Sequence, residues 1–540
     1  MSAYAFLLVT DRYPQSASAE ATDQRKDELL EFRARLPIAV ATALLAIGLL
    51  SPAAAQSTTT VSADVRTDIS AQIDDYVADR LATNGTPAAA VAVVRGGETV
   101  HLAGYGDVDE SEAPVTADTP FLIGSVSKPF TGAAVYQLID DGQLALGDPV
   151  GPYVEAATGQ AAPAFDGVTV QHLIHHTSGL QQGLALPGSV PVRTGDDALE
   201  RRIGDIVDQH VRTRDPGARY EYSNANYLLL ASIVEQVSSE PFAEYIEGQV
   251  FEPLGMEASF ATDADPSAAE LVPGHESWFG TWRQSDQPYD PAGAAMGYMG
   301  STARDMAAFL SAELEPGQGA LPFTAVDVTE DEPTSTGWDI PLETGIARGW
   351  FTDEINGQPT VSHAGSLGDY TTHVIMVPGA DGLGIAVLRN ASAFIAAGHD
   401  GQYNLSLGLM ELLLGLDVQP REPSPLMTIV VPLIAWGIGL AVVVLAVRFL
   451  MRRRSGPRHN VGHGKARRAH AIILPSLAFG ALAVVLLVVA PMLMGVSWRS
   501  AQLFYPDMAW GVVFSGCVAL VWAVGRLMFG LVDTRRAGGA

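Results

Sequence analysis

The sequence predicts an α/β domain in which both chain ends complete one sheet around a helical insertion, followed by three transmembrane α-helices. Three observations lead there. "AAAVAVVRGGETVHLAGYG" (88–106) reads as two strands joined at Gly96-Gly97, a two-residue hairpin turn. "HVIMVPGADGLGIAVLRN" (373–390) is a second hairpin, and residues 126–315 between the two are mainly helix-and-loop text punctuated by Pro and Gly. Finally, Leu426–Val447, Ala471–Trp498 and Met508–Gly525 carry no charge, and each is long enough to cross about 30 Å of hydrocarbon as a helix.

Taken in order, the 540-residue chain opens with a candidate export signal. Arg33 and Arg35 precede an apolar core from Ile38 to Leu50, which ends in Ala53-Ala54-Ala55, the layout of a secretory signal cleaved near Ala55. Residues 1–55 are therefore assigned to an N-terminal extension and signal peptide, and 56–417 to the α/β domain. A Pro-rich tether, "VQPREPSP", covers 418–425, and residues 426–540 form a membrane part with helices at about 426–450, 471–497 and 508–532. The connector "RFLMRRRSGPRHNVGHGKARRAH" is densely basic, as is the tail "DTRRAGGA", whereas the second connector, "RSAQLFYPD", is nearly neutral. Basic segments on the cytoplasmic side place residues 56–425 outside. The expected location is the cell (inner) membrane, multi-pass, with the α/β domain outside the cytoplasm and the lipid bilayer as a partner.

Charge narrows the other partners. Residues 56–425 hold 52 acidic and 15 basic side chains, a net of about −37, against 2 acidic and 12 basic in residues 426–540. Self-repulsion on that scale argues against nucleic acid or an anionic membrane surface as a partner of the acidic part. The lone cysteine, Cys517, permits no intramolecular disulfide and no thiolate metal cluster, so the domain must rest on its own apolar core.

Within that domain, Val65–Leu81 carries helical periodicity that stops before "TNGTP", and Ala391–Leu416 is the expected closing helix. One short stretch, "FLIGSVSKPF" (121–130), holds the single lysine of residues 56–425, Lys128; arginine fills every other basic position there. Pro129 lacks an N–H and fits only the first turn of a helix. The helix running through Phe130, Ala134 and Leu138 thus begins near Ser125 and stops at "DDG". Ser125 then occupies the positive end of the helix dipole, where a developing anion is stabilised, and Lys128 at i+3 shares its face. A serine is a poor nucleophile until a neighbour takes its proton. A desolvated lysine can do so, whereas arginine does not deprotonate in proteins.

This segment resembles the active-site segment of the serine β-lactamase and penicillin-binding protein superfamily, whose S-x-x-K motif corresponds to Ser125–Lys128. The resemblance continues in order through "HLIHHTSGL" (172–180), "YEYSNANYLLLASIVEQVSS" (220–239), "VFEPLGM" (250–256), "GYMGSTARDMAAFL" (297–310) and "VSHAGSLGDY" (361–370). It covers roughly residues 65–415, and a Tyr-x-Asn second box points to the class C β-lactamase and D-alanyl-D-alanine peptidase branch with its many esterases. The implied fold is β-lactamase/transpeptidase-like, an antiparallel sheet flanked by helices plus a helical subdomain.

The resemblance also implies roles. Ser125 would be acylated, with Lys128 and Tyr222 handling its proton; which of the two is the base stays open at this level. Tyr222, a phenol titrating near 10, would need nearby cations to act as phenolate. Asn224 would hold a substrate amide, and the backbone N–H groups of Ser125 and Ser366 would form an oxyanion hole that Gly365 leaves room for. The third box often carries lysine where this chain has His363, which is only partly charged near neutrality, so uncharged esters or amides gain weight over substrates bearing a carboxylate. His172, His175 and His176 fall in a segment similar to a structural element of a metal-independent family, so no metal or cofactor is expected. The expected function is a membrane-anchored serine hydrolase working by an acyl-enzyme on an amide, β-lactam or ester, with small molecules or peptides, including peptidoglycan-derived ones, as substrates. The alternative is an acylated β-lactam or peptidoglycan sensor with little turnover.

Overall fold

Two glycines with left-handed backbone, Gly96 and Gly97 (φ 59° and 78°), turn β1 (Ala88–Arg95) into β2 (Glu98–Gly106), as the sequence predicts. This computed structural model describes residues 63–538 apart from 109–112, 210–211, 263, 266–267, 269, 316–325, 328–344, 380, 393–402, 420–423, 455–464 and 495. The expected export signal lies outside the described residues.

β3 (Phe121–Leu122) leads directly to the Ser125 turn. β4 (His275–Trp278) and β5 (Thr281–Gln284) form a hairpin inside the stretch expected to be helix and loop, and β6 (Gly300–Ser301) pairs back onto β3. The C-terminal half then supplies β7 (Val326–Asp327), β8 (Gly345–Ala347), β9 (Trp350–Ile355), β10 (Gln358–Ser366), β11 (Thr371–Val377), β12 (Leu383–Arg389) and β13 (Ala391–Ser392). The main sheet runs β2-β1-β12-β11-β10-β9-β8-β7 and is antiparallel throughout. The β1–β12 pairing is what closes it, so both ends of the domain do complete one sheet.

β1, β11 and β12 are buried along almost their whole length, which fits their largely apolar text. Their alternate residues feed two separate cores. Val91, Val93, Ile375, Ile385 and Val387 face α1 (Ala63–Asn84) and a C-terminal helix, whereas Ala90, Ala92, Val374, Ala386 and Leu388 face the helical body. In that body lie α2 (Ser127–Asp140), α3 (Ala198–Asp208) and α4 (Asn224–Ser238), whose residues from Asn224 to Val234 are all buried. α5 (Ala303–Leu314) packs directly on β1 and β12.

The closing helix differs from expectation. Ala391–Ser392 is strand β13, paired parallel to His275 and Glu276 of β4, and the helix itself is α6 (Asn404–Leu413). That pairing joins segments more than a hundred residues apart, and nothing local in the sequence announces it.

Three helices after the domain are long and apolar enough to cross a membrane: Leu426–Arg454, Ile472–Met492 and Pro506–Gly530. The second ends earlier than expected, and a short connector helix, Trp498–Phe504, follows it. The third packs against both others where glycines permit close approach: Gly439 meets Phe514, Gly511 meets Trp436, and Gly516 meets Leu487.

One buried ion pair ties the helical body to the loop beneath the site. The guanidinium of Arg202, fully buried on α3, donates to both carboxylate oxygens of Asp290 (3.0 and 2.8 Å) and to the Pro191 carbonyl (2.8 Å). Asp290 begins the segment that runs to Tyr298. Replacing Asp290 by Ala leaves a buried, uncompensated guanidinium and is expected to lower unfolding free energy by about 3–5 kcal/mol, read from denaturant melting.

Candidate active site

Ser125 sits in a 3-10 turn, Gly124–Val126, that runs straight into α2. The helix proper begins at Ser127, two residues later than the proline argument alone implies, yet Lys128 still projects back onto Ser125. Of the five residues from Gly124 to Lys128, Ser125 alone is partly exposed. Its Oγ is 3.0 Å from Lys128 Nζ and 2.9 Å from the Tyr222 hydroxyl. The structure thus brings together Ser125, Lys128 and Tyr222, which come from two distant stretches of chain.

Lys128 is fully buried, and its two hydrogen-bond partners, Ser125 Oγ and the Met296 carbonyl (2.6 Å), are both uncharged. Burial drives its pKa well below the ordinary ammonium value, because a desolvated cation is penalised. Nζ donates to the Met296 carbonyl and lies within hydrogen-bond reach of Ser125 Oγ. The phenol of Tyr222 moves the other way: burial raises its pKa, and the hydrogen bond to Ser125 offsets this only in part. Tyr222 is therefore a proton-bearing phenol that donates to Ser125 Oγ, and its ring lies 5.0 Å from Lys128 Nζ.

The sheet edge comes up against this turn backbone to backbone. A Cβ on Gly124 (φ 55°) would collide with Ser366 N and Gly365, and a Cβ on Gly365 would collide with the Ile123 carbonyl. Leu367 N–H donates to the Tyr370 carbonyl, so by the alternation of an antiparallel ladder the Ser366 N–H points away from β11, toward the Ser125 turn. Ser366 N and Ser125 N both lie at this backbone seam, next to Gly124 and Gly365.

Asn224 opens α4, and its buried Oδ1 accepts no hydrogen bond among the described residues. His363 lies 2% exposed on β10, with its ring 4.9 Å from that of Phe351. Its Nδ1 must carry the proton, since it faces the Ala364 carbonyl at 2.8 Å. Burial pushes its pKa down to about 3. The partial charge expected from its type is absent: His363 is a neutral group in this setting.

The other histidines hold structure. His172 closes a capping box with Thr169, and burial lowers His175 to about 4. His176, which sequence reasoning left without a role, is fully buried beneath Tyr222, with ring centroids 4.4 Å apart. Its Nδ1 accepts from the Ser223 N–H (3.1 Å) and lies 2.9 Å from the Asn226 amide nitrogen. It thus fixes the loop-to-helix corner that carries Tyr222 and Asn224. Its place in "HHTSGL" was the available signal.

The family profile described as Beta-lactamase matches residues 73–407. Protein flp of Staphylococcus aureus (strain MRSA252) is 26% identical over 331 residues, 60% of this chain and 64% of that protein. The chain thus spans less than two thirds of the length of these curated relatives. Penicillin-binding protein 4 of Amycolatopsis lactamdurans is 27% identical over 314 residues, 56% of this chain and 81% of that protein. Among solved structures, the octameric penicillin-binding protein homologue from Pyrococcus abyssi superposes with a TM-score of 0.54 at 26% identity, covering 65% of this chain and 79% of that one. The D-amino acid amidase of Ochrobactrum anthropi SV3 shares the fold, with a TM-score of 0.53 at 22% identity over 65% of this chain and 98% of that one.

Replacing His176 by Phe keeps a ring under Tyr222 but strands the two nitrogen donors. Stability is expected to fall by about 2–6 kcal/mol, at about 1–3 for each buried group left unsatisfied. Labelling of Ser125 by a fluorophosphonate probe should slow as Tyr222 loosens, and thermal melting read beside labelling kinetics checks both.

Proposed function

From the premise that this chain belongs to the Beta-lactamase family of serine hydrolases, we propose that it cleaves uncharged esters or amides through an acyl-enzyme on Ser125, while anchored in a membrane by its three apolar helices. The observation that carries the reading is the bracketing of Ser125 Oγ by a buried amine at 3.0 Å and a phenol at 2.9 Å.

In the proposed step, Ser125 Oγ–H gives its proton to the neutral Lys128 amine as Oγ attacks the substrate carbonyl. The tetrahedral oxyanion is met by the N–H groups of Ser125 and Ser366, preorganised by close backbone packing. The ammonium so formed sits in a site that disfavours it, and it returns the proton to the leaving group, directly or through the Tyr222 hydroxyl that shares Ser125 Oγ. Water then attacks the acyl-enzyme with Lys128 again as base. Lys128 is favoured over Tyr222 as that base because the two pKa shifts run in opposite directions, each from burial. Asn224, whose Oδ1 accepts no hydrogen bond among the described residues, is the group proposed to take an N–H of the substrate.

The substrate class follows from His363. A buried neutral imidazole offers no fixed cation to a carboxylate, so a neutral acyl donor such as a p-nitrophenyl ester should be turned over with higher kcat/KM than a carboxylate-bearing cephalosporin. Many turnovers support a hydrolase; a single stoichiometric burst would instead indicate the sensor. Ser125→Ala should abolish covalent labelling, and Lys128→Arg should lower kcat by about 10²–10⁴-fold, the usual worth of a general base, since arginine retains charge but not the ability to deprotonate.

pH dependence separates the two buried bases. The amine acts only when neutral, so kcat/KM should rise with pH through the lowered Lys128 pKa and then level off. His363, with a pKa of about 3, is uncharged across pH 4–9, so His363→Asn should leave the position of that limb unchanged. A limb that moves or vanishes in the Asn variant would show that the imidazole, not the amine, sets it.

A further inference from the structure

The connector between the second and third apolar helices does not stand clear of the α/β domain. Its Ser497 hydroxyl reaches the Gly188 carbonyl (3.4 Å) while capping the connector helix by accepting from the Ser500 N–H (3.0 Å). Gly188 lies against the backbone of Arg499 and Ser500, both connector residues. Further along, the Leu503 carbonyl accepts from Gln287 Nε2 at 3.2 Å, and the Asp507 carboxylate accepts from the Phe279 N–H, at the tip of the β4–β5 hairpin, at 2.8 Å. Ser500 and Ala501 are each 1% exposed as a result.

The point reached by Leu503 matters most. Its carbonyl lies against Gly368, so closely that a Cβ there would overlap both Leu503 O and the Gln287 amide. Gly368 is two residues beyond Ser366, in the Leu367–Tyr370 turn that joins β10 to β11. The far side of this turn is held by the α/β domain itself: His275 N–H donates to the Asp369 carbonyl (3.2 Å), and the Tyr370 hydroxyl donates to the Val272 carbonyl. The connector and Gln287 close the near side.

We propose that the membrane part is a working component of the active site: the Ser497–Asp507 connector clamps the Leu367–Tyr370 turn and thereby positions the Ser366 N–H for oxyanion binding. Leu503 and Gly368 are positioning residues in this arrangement, acting through Ser366. The contact requires connector and domain to lie on the same side of the membrane, which is the side that charge asymmetry assigns to both. Its catalytic half rests on the acyl-enzyme reading; the docking itself does not.

The test uses the full-length protein in detergent micelles. A protease site inserted between Arg421 and Ser424 allows the tether to be cut. The α/β domain is expected to co-elute with the membrane part after cleavage, and its elution alone would overturn the docking whatever the chemistry. Gly368 does not have left-handed backbone, so Gly368→Ala adds a methyl wedge without backbone strain. That variant is expected to lose about 10–100-fold in kcat toward a p-nitrophenyl ester, with KM within about threefold and a cooperative unfolding transition retained at a lower midpoint, as an oxyanion donor displaced by a fraction of an ångström would require. Gln287→Ala, which removes the clamp's hydrogen bond without adding volume, should lower kcat in the same sense by a smaller factor. Unchanged kcat in both variants would sink the clamp. A wild-type chain inert to esters and fluorophosphonates alike would sink the hydrolase reading, while the cleavage experiment would still decide the docking.

Discussion

An amine buried without a counter-charge is the constraint on which the rest of this site depends. Taking an ammonium out of water costs several kcal/mol even after the protein relaxes, and among the described residues Lys128 meets no counter-charge, only a hydroxyl, a carbonyl and the rings of Tyr222 and Tyr227. Burial therefore favours the neutral form, the state in which the proposed base can take a proton from Ser125. The surroundings keep it so. Met296 O is aimed at Nζ by a segment pinned to α2 at two further points, where Thr131 donates to the Ala295 carbonyl and Met299 N–H donates to Ser127 Oγ. The Arg202–Asp290 pair anchors the start of that segment, so a salt bridge remote from the chemistry helps to hold the proton acceptor in place.

The second constraint is steric and runs along the seam where the sheet meets α2. Four glycines mark it. Gly124 and Gly365 let β10 touch the nucleophile's turn, while Gly132 touches the Arg348 carbonyl and Gly349 touches the carbonyl of Lys128 itself. Backbone meets backbone at each point, with no side chain between to adjust. Contacts of this kind are stiff, and stiffness is what an oxyanion site needs, since its donors must already be in place when charge develops. A flexible side-chain interface at the same seam would hold the fold but not the geometry.

These two constraints were legible in the sequence to different degrees. The single lysine of residues 56–425 stands three residues after a serine, and the proline that follows it forces a helix to start close by, so the proposed nucleophile and base are encoded locally, and local signals survive in text. Gly96-Gly97 declared its hairpin for the same reason. Met296 could not be read, because its contribution is a main-chain carbonyl and any residue type carries one. His176 stood in a recognisable segment but was one of three neighbouring histidines, and only its burial under Tyr222 separates it from His172 and His175. β13 and the docked connector escaped because each is a contact between segments far apart in sequence, without periodicity to betray it. His363 was read correctly as to type but not as to state: the ordinary imidazole pKa holds for water, and β10 gives it none.

Long-range charge bears on that last point. The acidic region from 56 to 425 surrounds the site with a net of about −37, a field that repels anions before they reach contact range, the more so at low ionic strength. Enzymes that accept anionic substrates counter such a field with a local cation at the site. Here the amine nearest the nucleophile is held neutral by burial, and the third-box position offers an imidazole pushed down to about 3. Neither the distant field nor the nearby groups favour a carboxylate, and both arise from features fixed well apart in the chain. For the proposed hydrolase, selection for uncharged acyl donors is thus set at two distances at once, by repulsion on approach and by the lack of a charged partner on arrival.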